Sequence, residues 1–268
     1  MLIEKARVAY NYNVSPGIYK IIFDAPKISK SAQPGQFVMI KCEGKQTFLR
    51  RPLSIAGTKS ENLTINLVIK VVGIGTKWLA ESTFGDTLDL LGPLGHGYTL
   101  TNLAGKKILL VAGGIGMASM IFLAEELSRH RKQDLKVNIL FGAKTLELDD
   151  GNCFYASIKN LFPSSYREKI TTTTEDGSYG HKGLVTDILP SIIEKKEINQ
   201  IFACGPKAML KKVAEISQAH NVPCQVCLEK RMACGVGACY SCVCRVKGHN
   251  IRVCKNGPVF EAKEVDWS

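Results

Sequence analysis

Seven of the ten cysteines in this 268-residue chain lie after residue 223. Four of them are separated by four, two and eleven residues: Cys234, Cys239, Cys242 and Cys254. A C-x4-C-x2-C run with a distant fourth cysteine is typical of plant-type [2Fe–2S] centres, in which four thiolates hold two irons. Glycines at 235 and 237 leave this loop free to wrap around a cluster and point N–H groups at its sulfurs. The spacing therefore predicts a [2Fe–2S] centre near the carboxyl terminus.

A structural zinc site is the alternative interpretation of the same cysteines. Zinc sites favour two C-x2-C pairs, which residues 224–227 and 239–242 could form. That arrangement leaves Cys234 and Cys254 unused, together with the glycine-containing loop. We therefore favour iron and sulfur over zinc.

The fourth ligand of the cluster has a rival in Cys244. Cys242 and Cys244 lie two apart on a predicted strand, where both side chains point the same way, so we prefer Cys254. Cys224 and Cys227 are then expected to be ordinary buried thiols.

A glycine-rich turn joins an apolar run to a helical stretch in the middle of the chain. Glycines at such a turn let the pyrophosphate of a dinucleotide approach the helix N-terminus, whose free N–H groups attract anions. A Cys-Gly-Pro sequence follows a later strand, at the edge where parallel sheets place their ligand sites. The residues of this predicted dinucleotide site are Gly113, Gly114, Ile115, Gly116, Cys204, Gly205 and Pro206.

Two adjacent arginines follow a predicted strand in the first third of the chain. Because Pro52 fixes the local backbone, Arg51 is suited to clamp a phosphate with two parallel hydrogen bonds. A second potential phosphate loop contains Gly75 and Thr76, at the start of a predicted helix. These residues are candidate flavin contacts, and a solvated basic turn is the alternative.

The predicted strands and helices that carry these motifs follow one pattern in the first 100 residues and another after them. Residues 1 to about 100 contain short strands separated by Gly and Pro turns, which predicts an antiparallel β-barrel. From about Gly105 strands alternate with helices, which predicts an α/β domain with a parallel sheet. The predicted domains are a flavin-binding barrel over 1–100, a nicotinamide-binding domain over 101–222 and a small cluster domain over 223–268. The last is too short for a large core, so a metal centre would supply stability.

Composition and charge exclude several classes of protein. At 45% hydrophobic and 22% charged residues, the chain is expected to fold rather than stay disordered. It contains no run near the roughly 18 apolar residues of a membrane span, and its first residues show no signal-peptide pattern. We therefore expect a cytoplasmic protein. The net charge is +11, but the basic residues are scattered along the sequence and no nucleic-acid motif accompanies them. This pattern favours an acidic protein partner or cofactor phosphates over nucleic acid.

The motifs together resemble the ferredoxin–NADP reductase superfamily. They occur in that family's order: Arg-Pro-Leu-Ser at 51–54, Gly-Thr at 75–76, the glycine loop at 113–116 and Cys-Gly-Pro at 204–206. Residues 228–242 and 253–260 are similar to the electron-transfer subunits of type B dihydroorotate dehydrogenases. The resemblance covers almost the whole chain.

The resemblance implies three cofactors and a partner. The subunit would carry FAD, a [2Fe–2S] cluster and NAD. Its partner would be an FMN-containing catalytic subunit that oxidises dihydroorotate to orotate in de novo pyrimidine (UMP) biosynthesis, in a heterotetramer with two copies of each chain. Electrons would pass from FMN through the cluster to FAD and leave as a hydride on NAD⁺.

The family's residue roles carry over to matching positions of this chain. Ser54 would lie near the flavin N5 and Cys204 near the nicotinamide ring, and these are the two catalytic candidates. The cluster ligands would be the four cysteines of the spacing above, and the dinucleotide contacts would be the glycine loop and the Cys-Gly-Pro residues. The residues implied to contact FAD are Arg51, Pro52, Leu53, Ser54, Val68, Ile69, Lys70, Gly75 and Thr76.

The chain departs from the family pattern at three positions. Leu53 stands where an aromatic residue is usual, Ser119 replaces a proline often found after the glycine loop, and Cys244 is an additional cysteine. Acidic residues after the second strand of the α/β domain favour the free 2′-hydroxyl of NAD over the phosphate of NADP. They are Glu147, Asp149 and Asp150.

Three other functions fit parts of the pattern. A reductase subunit could feed an oxygenase, a hydrogenase or a sulfur-metabolising enzyme, and an assay with dihydroorotate distinguishes it. A cluster-bearing redox sensor would bind its target in a redox-dependent way and would not oxidise NADH. A zinc protein with an inherited fold would be colourless.

Overall fold

The strands of the amino-terminal third close into a barrel. The computed structural model describes residues 2–43, 48–59, 61, 63–129, 134–146, 148–149 and 152–268. The interior is apolar because alternate residues point inward: Ile65, Leu67 and Ile69 are at most 1% exposed. The antiparallel order is β1-β2-β5-β4-β3-β6, and β6 pairs with β1. The elements are β1 (Leu2–Ser15), β2 (Ile18–Asp24), α1 (Pro26–Ser29), β3 (Phe37–Lys41), β4 (Arg51–Lys59), β5 (Thr64–Lys70), α2 (Ile74–Ala80) and β6 (Thr87–Leu94).

A parallel sheet follows the barrel. Its central strand carries a continuous apolar run from Ile108 to Ala112 that is fully buried, as expected of a strand covered on both faces. The elements are β7 (Lys107–Gly113), α3 (Met117–Arg129), β8 (Lys136–Ala143), β9 (Leu148–Asp149), β10 (Asn152–Cys153), α4 (Phe154–Lys159), β11 (Ile170–Thr174), β12 (His181–Lys182), α5 (Val185–Lys196), β13 (Gln200–Cys204), α6 (Lys207–Ala219) and β14 (Cys224–Cys227).

The carboxyl-terminal segment contributes to the same sheet. It contains β15 (Val243–Val246), β16 (His249–Arg252), α7 (Val253–Asn256) and β17 (Val259–Glu261). Strands β15 and β16 form a hairpin, whereas β17 pairs antiparallel with β14, which in turn pairs parallel with β13. The seven-stranded order is β12-β11-β8-β7-β13-β14-β17. The barrel and the parallel-rich sheet confirm the predicted fold class.

The chain divides into two compact units. One contains the residues up to Gly97 together with Lys230–Pro258, and the other contains Tyr98–Glu229 and Val259–Ser268. In the first unit, the His96 N–H donates to the Gly257 carbonyl at 2.6 Å, which ties the cysteine-rich segment to the end of the barrel. The three-domain boundaries drawn from the sequence stay a prediction. Among the helices described, none is long and apolar enough to cross a membrane.

Candidate functional site

The Arg-Pro-Leu-Ser motif lies on strand β4. Arg51 begins this strand, whereas the sequence places the arginine pair after a strand. In the register with β3, Pro52 lies opposite Met39 and Ser54 lies opposite Phe37. All four motif residues are half-buried, so the strand holds them at a partly open surface of the barrel unit.

The Arg51 side chain lies against the first turn of α2. A Cβ placed on Gly75 would be 2.6 Å from Arg51 Nε, and Arg51 Nη1 donates to the Leu49 carbonyl. The Cys42 thiol donates to the Gly75 carbonyl at 3.6 Å. Burial raises the pKa of Cys42, and the charge of Arg51 opposes that rise. The fold therefore brings together the two predicted flavin segments, which are separated in the sequence.

Thr76 organises the turn that precedes α2. Its hydroxyl accepts hydrogen bonds from the N–H groups of Val72 at 2.9 Å and Gly73 at 3.2 Å, and donates to the Gly73 carbonyl at 3.0 Å.

Of the predicted contacts on β5, Val68 and Ile69 are buried and Lys70 is exposed. A positively charged guanidinium beside a glycine turn fits the phosphate of a flavin nucleotide.

The two predicted dinucleotide segments meet at the carboxyl edge of adjacent strands. Strand β13 pairs parallel with β7, so that Cys204 lies opposite Ala112. The glycine turn continues as a 3-10 helix, Gly114–Gly116, directly into α3. A Cβ on Gly116 would lie only 2.3 Å from the Cys204 carbonyl oxygen, so only glycine allows this approach. The arrangement leaves a helix start at the edge where a pyrophosphate binds in such sheets.

The Cys204 thiol is buried among polar groups that the sequence did not identify as part of a site. Cys204 is 1% exposed, and its side chain interacts with those of Cys227 and Ser119. The interaction with Cys227, followed by burial, raises the pKa of Cys204 well above its usual value. The charge of Glu229 acts in the same direction. No local signal finds these neighbours, because Cys227 reaches Cys204 only through the pairing of β14 with β13.

The cysteine-rich loop directs backbone N–H groups at one sulfur. The Cys234 Sγ accepts from the N–H groups of Val236 at 3.4 Å, Ala238 at 3.3 Å and Cys239 at 3.5 Å. Such bonds stabilise the thiolate that iron needs. The Ser241 hydroxyl, its backbone N–H and Cys234 lower the pKa of the exposed Cys239 to about 6. The loop therefore favours thiolate chemistry, as the predicted cluster requires.

The fourth candidate ligand lies beside the third. The Cys254 N–H donates to Cys242 Sγ at 3.4 Å, and both cysteines are 2% exposed. Burial, followed by the neighbouring Cys242, raises the pKa of Cys254 to about 12. Cys242 precedes β15 rather than lying on it, so the prediction that Cys242 and Cys244 share one strand is wrong. Cys244 is half-buried on β15 and lies opposite Ile251.

Within the described part of the chain, no three His, Cys, Asp or Glu side chains converge to hold a single metal ion. A [2Fe–2S] cluster spreads its four cysteine ligands over two irons, two to each. Its ligands form two pairs and need not meet at one point. Cys242 and Cys254 lie close enough together to form one such pair.

Three family models match successive parts of the chain. They are an oxidoreductase FAD-binding domain at residues 5–98, an oxidoreductase NAD-binding domain at 110–215, and the iron-sulfur cluster binding domain of dihydroorotate dehydrogenase B at 229–266. The dihydroorotate dehydrogenase B (NAD(+)) electron transfer subunit of Caldanaerobacter subterraneus subsp. tengcongensis is 40% identical, with 97% of each chain covered. The chain belongs to this family of electron transfer subunits. The subunit from Bacillus caldolyticus is 37% identical, with 98% of each chain covered.

Solved structures share the fold. An NADH-dependent reduced ferredoxin-NADP oxidoreductase, studied for flavin-based electron bifurcation, superposes with a TM-score of 0.82 at 30% identity, over 98% of this chain and 90% of its own. A ferredoxin NADP+ reductase from Neisseria gonorrhoeae with bound FAD and NADP has a TM-score of 0.62 at 17% identity, covering 81% of this chain and 91% of its own. The second likeness concerns the fold alone.

These findings confirm the predicted family and its FAD-, NAD- and cluster-binding domains. The individual contact residues stay a prediction. So does the preference for NAD over NADP, since Glu147 and Asp150 lie outside the described residues and Asp149 ends the short strand β9.

The contact between Gly116 and Cys204 predicts a selective loss of coenzyme binding. In Gly116→Ala the added methyl group would meet the Cys204 carbonyl oxygen, so the glycine turn must move away from β13. We expect the dissociation constant for NADH to rise about ten-fold, since overpacking of this kind costs about 1–3 kcal/mol. The dependence of the rate of flavin reduction on NADH concentration, followed by stopped-flow absorbance, measures it, and flavin and iron contents serve as internal controls. Unchanged NADH affinity would show that this turn does not contact the coenzyme.

Proposed function

We propose that this chain is the electron-transfer subunit of a type B dihydroorotate dehydrogenase in de novo pyrimidine biosynthesis. Its partner is an FMN-containing catalytic subunit that oxidises dihydroorotate, and the complex contains two copies of each chain. When bound, FAD links the one-electron chemistry of the [2Fe–2S] cluster to hydride exchange with NAD⁺. Dihydroorotate chemistry belongs to the partner, so this chain needs no general acid or base for it.

Packing of the cysteine loop on the barrel is the observation that carries the proposal. Gly235 has a φ of +71°, and a Cβ there would lie 2.5 Å from Met39 Cγ. Met39 on β3 is the cross-strand partner of Pro52 in the flavin motif. The loop that would hold the cluster therefore rests on the strand next to the flavin motif, within one compact unit. Close packing of this kind suits electron transfer between the two cofactors.

The residues of the chain have separate roles in this proposal. Arg51 and the turn at Gly75 bind the flavin phosphate, while Ser54 orients the reactive edge of the ring. The FAD-binding residues also include Pro52, Leu53, Val68, Ile69, Lys70 and Thr76. The glycine loop at 113–116 and Pro206 with Gly205 bind the dinucleotide, and Cys204 lies at the nicotinamide. Thiolates of Cys234, Cys239, Cys242 and Cys254 hold the cluster.

The exposed face of the cysteine loop supplies a docking surface for the partner. Tyr240 is 59% exposed, and the Arg252 guanidinium lies 4.7 Å from its ring centroid. Arg252 also donates to the Gly237 carbonyl at 2.9 Å, which fixes its position. Tyrosine and arginine are enriched at the centres of protein interfaces. Together with the net charge of +11, they favour a partner with an acidic surface.

A visible spectrum of the purified protein, with flavin and iron quantified, tests the proposal. We expect flavin bands, a broad cluster absorption, two irons per chain and bleaching by NADH. Addition of the FMN-containing subunit and dihydroorotate must then produce NADH from NAD⁺. A colourless, zinc-containing protein would refute the redox function, and a coloured protein that never couples to dihydroorotate would refute the partner.

A second candidate is a subunit that exchanges electrons with a ferredoxin-type carrier. The likeness to the NADH-dependent reduced ferredoxin-NADP oxidoreductase, at 30% identity over 98% of this chain, favours it. NADH-dependent reduction of ferredoxin without any response to the dihydroorotate-oxidising subunit would establish this alternative.

A further inference from the structure

Four buried side chains with O–H or S–H groups surround the end of strand β13. Cys204 ends β13 and Cys227 ends β14, and the two are register partners in the parallel sheet. Ser119 lies in the first turn of α3, and Tyr98 precedes the α/β sheet. Their exposed fractions are 1% for Cys204, 3% for Cys227, 0% for Ser119 and 7% for Tyr98. All four belong to the same compact unit.

The four groups form a closed ring of polar contacts. The Tyr98 and Ser119 hydroxyl oxygens are 3.2 Å apart. Cys204 interacts with both Cys227 and Ser119, and Tyr98 interacts with Cys227. Each member can both donate and accept a hydrogen, so each can find a partner within the ring.

Burial makes this ring rigid. A buried hydroxyl without a hydrogen-bond partner lowers the folding stability by about 1–3 kcal/mol. Each side chain of the ring is therefore held in the orientation that keeps its neighbours paired. The Tyr98 ring meets Phe202 edge-on, with centroids 5.5 Å apart and planes at 84°. The backbone of Gly116 lies against the Cys204 carbonyl, where a Cβ would be 2.3 Å from the oxygen. The backbone and the thiol of Cys204 are therefore both fixed.

Ser119 supplies the hydroxyl that links Tyr98 to Cys204. Here the serine hydroxyl connects α3 to Tyr98 and to Cys204, directly after the glycine turn.

We propose that Ser119, Tyr98 and Cys227 are positioning residues that hold the Cys204 thiol in one orientation at the nicotinamide, and that they influence hydride exchange only through Cys204. The inference rests on the proposed function, because it takes Cys204 to lie at the nicotinamide ring. The positioning residues are expected to affect the rate of hydride transfer and not the affinity for NADH.

A double-mutant cycle between Tyr98 and Cys204 tests the coupling. Tyr98→Phe removes one hydroxyl and keeps the ring edge on Phe202. We expect it to lower the limiting rate of flavin reduction by NADH about five-fold, with the dissociation constant changed less than about two-fold. In a Cys204→Ala background the same substitution should change the rate less than about 1.5-fold. Stopped-flow absorbance of the flavin band measures both quantities.

Matched variants separate positioning from general damage. Ser119→Ala breaks the ring from its other side and should reproduce the Tyr98→Phe result, whereas Cys227→Ser keeps a donor and acceptor and should retain most of the rate. Tyr166→Phe removes the hydroxyl of another buried tyrosine of the same unit, whose ring centroid lies 5.7 Å from the Lys169 ammonium. It should leave the rate unchanged.

The S–H infrared band of Cys204 provides a readout that does not depend on activity. It is isolated as the difference between the wild-type and Cys204→Ala spectra. A single narrow band that broadens and shifts in Tyr98→Phe and Ser119→Ala supports the inference. An unaltered band, additive rate effects in the cycle, or a change in NADH affinity alone would overturn it.

These readouts keep the two proposals apart. If NADH fails to reduce the flavin of the wild-type protein, the proposed function is wrong, while the infrared band still decides whether the ring orients Cys204. If NADH reduces the flavin and the cycle shows no coupling, the proposed function stands and the positioning role is wrong.

Discussion

Replacement of Cys254 by alanine is expected to abolish the [2Fe–2S] cluster and leave flavin chemistry intact. Iron should fall from two per chain to near zero, because losing one of four thiolates should lower metal affinity by more than about 100-fold. Electron delivery from the catalytic subunit should be lost with it. NADH should still bleach the flavin band, since the flavin and coenzyme residues lie outside the cysteine loop. Iron analysis and the visible spectrum measure both outcomes.

Cys244→Ala is the matched control for this prediction. Cys244 lies on β15, ten residues before Cys254, and pairs across the hairpin with Ile251. Cys254 instead donates its N–H to Cys242 Sγ and is buried beside it. We therefore expect Cys244→Ala to keep two irons per chain. If Cys244→Ala loses the iron and Cys254→Ala retains it, the assignment of the fourth ligand is reversed.

Replacement of Arg51 by alanine is expected to weaken FAD binding about 10- to 100-fold. A charge-assisted bond from a guanidinium to phosphate contributes about 1.5–3 kcal/mol, and alanine leaves nothing beside Gly75 to replace it. The variant should lose flavin on gel filtration, and excess FAD should restore NADH oxidation. Arg51→Lys keeps the charge without the planar fork and should bind FAD with intermediate affinity. Fluorescence titration of the apoprotein with FAD measures these differences.

Arg50→Ala provides the control, because Arg50 is adjacent in sequence and serves the barrel itself. Its Nη2 lies 2.7 Å from Asp89 Oδ1, and its Nη1 donates to the carbonyls of Asp89 at 3.0 Å and Met39 at 3.3 Å. Its loss should lower the melting temperature while the folded protein keeps its flavin. Equal loss of FAD from both variants would show that Arg51 acts through barrel stability and not through a phosphate contact.

Much of the site was predictable because its information is local. The cysteine spacing, the glycine turn before α3 and the proline after Arg51 each describe a short piece of backbone. Strand and helix periodicity likewise predicted the barrel and the parallel sheet. The ends of elements were less accurate: Arg51 begins β4 rather than following a strand, and Cys242 precedes β15. Turns and strands compete over one or two residues at such boundaries, and the local pattern does not decide between them.

The sequence by itself determined the family motifs, the fold class and the kind of chemistry, since these depend on residue types at short spacing. Only the tertiary structure decided which distant segments meet. Strand β14 joined the parallel sheet and placed Cys227 opposite Cys204, and Gly235 came to rest on Met39 of the barrel. The fold also brought the hydroxyl groups of Tyr98 and Ser119, 21 residues apart in the sequence, within 3.2 Å of each other. The physical reason is that strand pairing and packing select partners by shape and register across the whole chain, which local periodicity does not record.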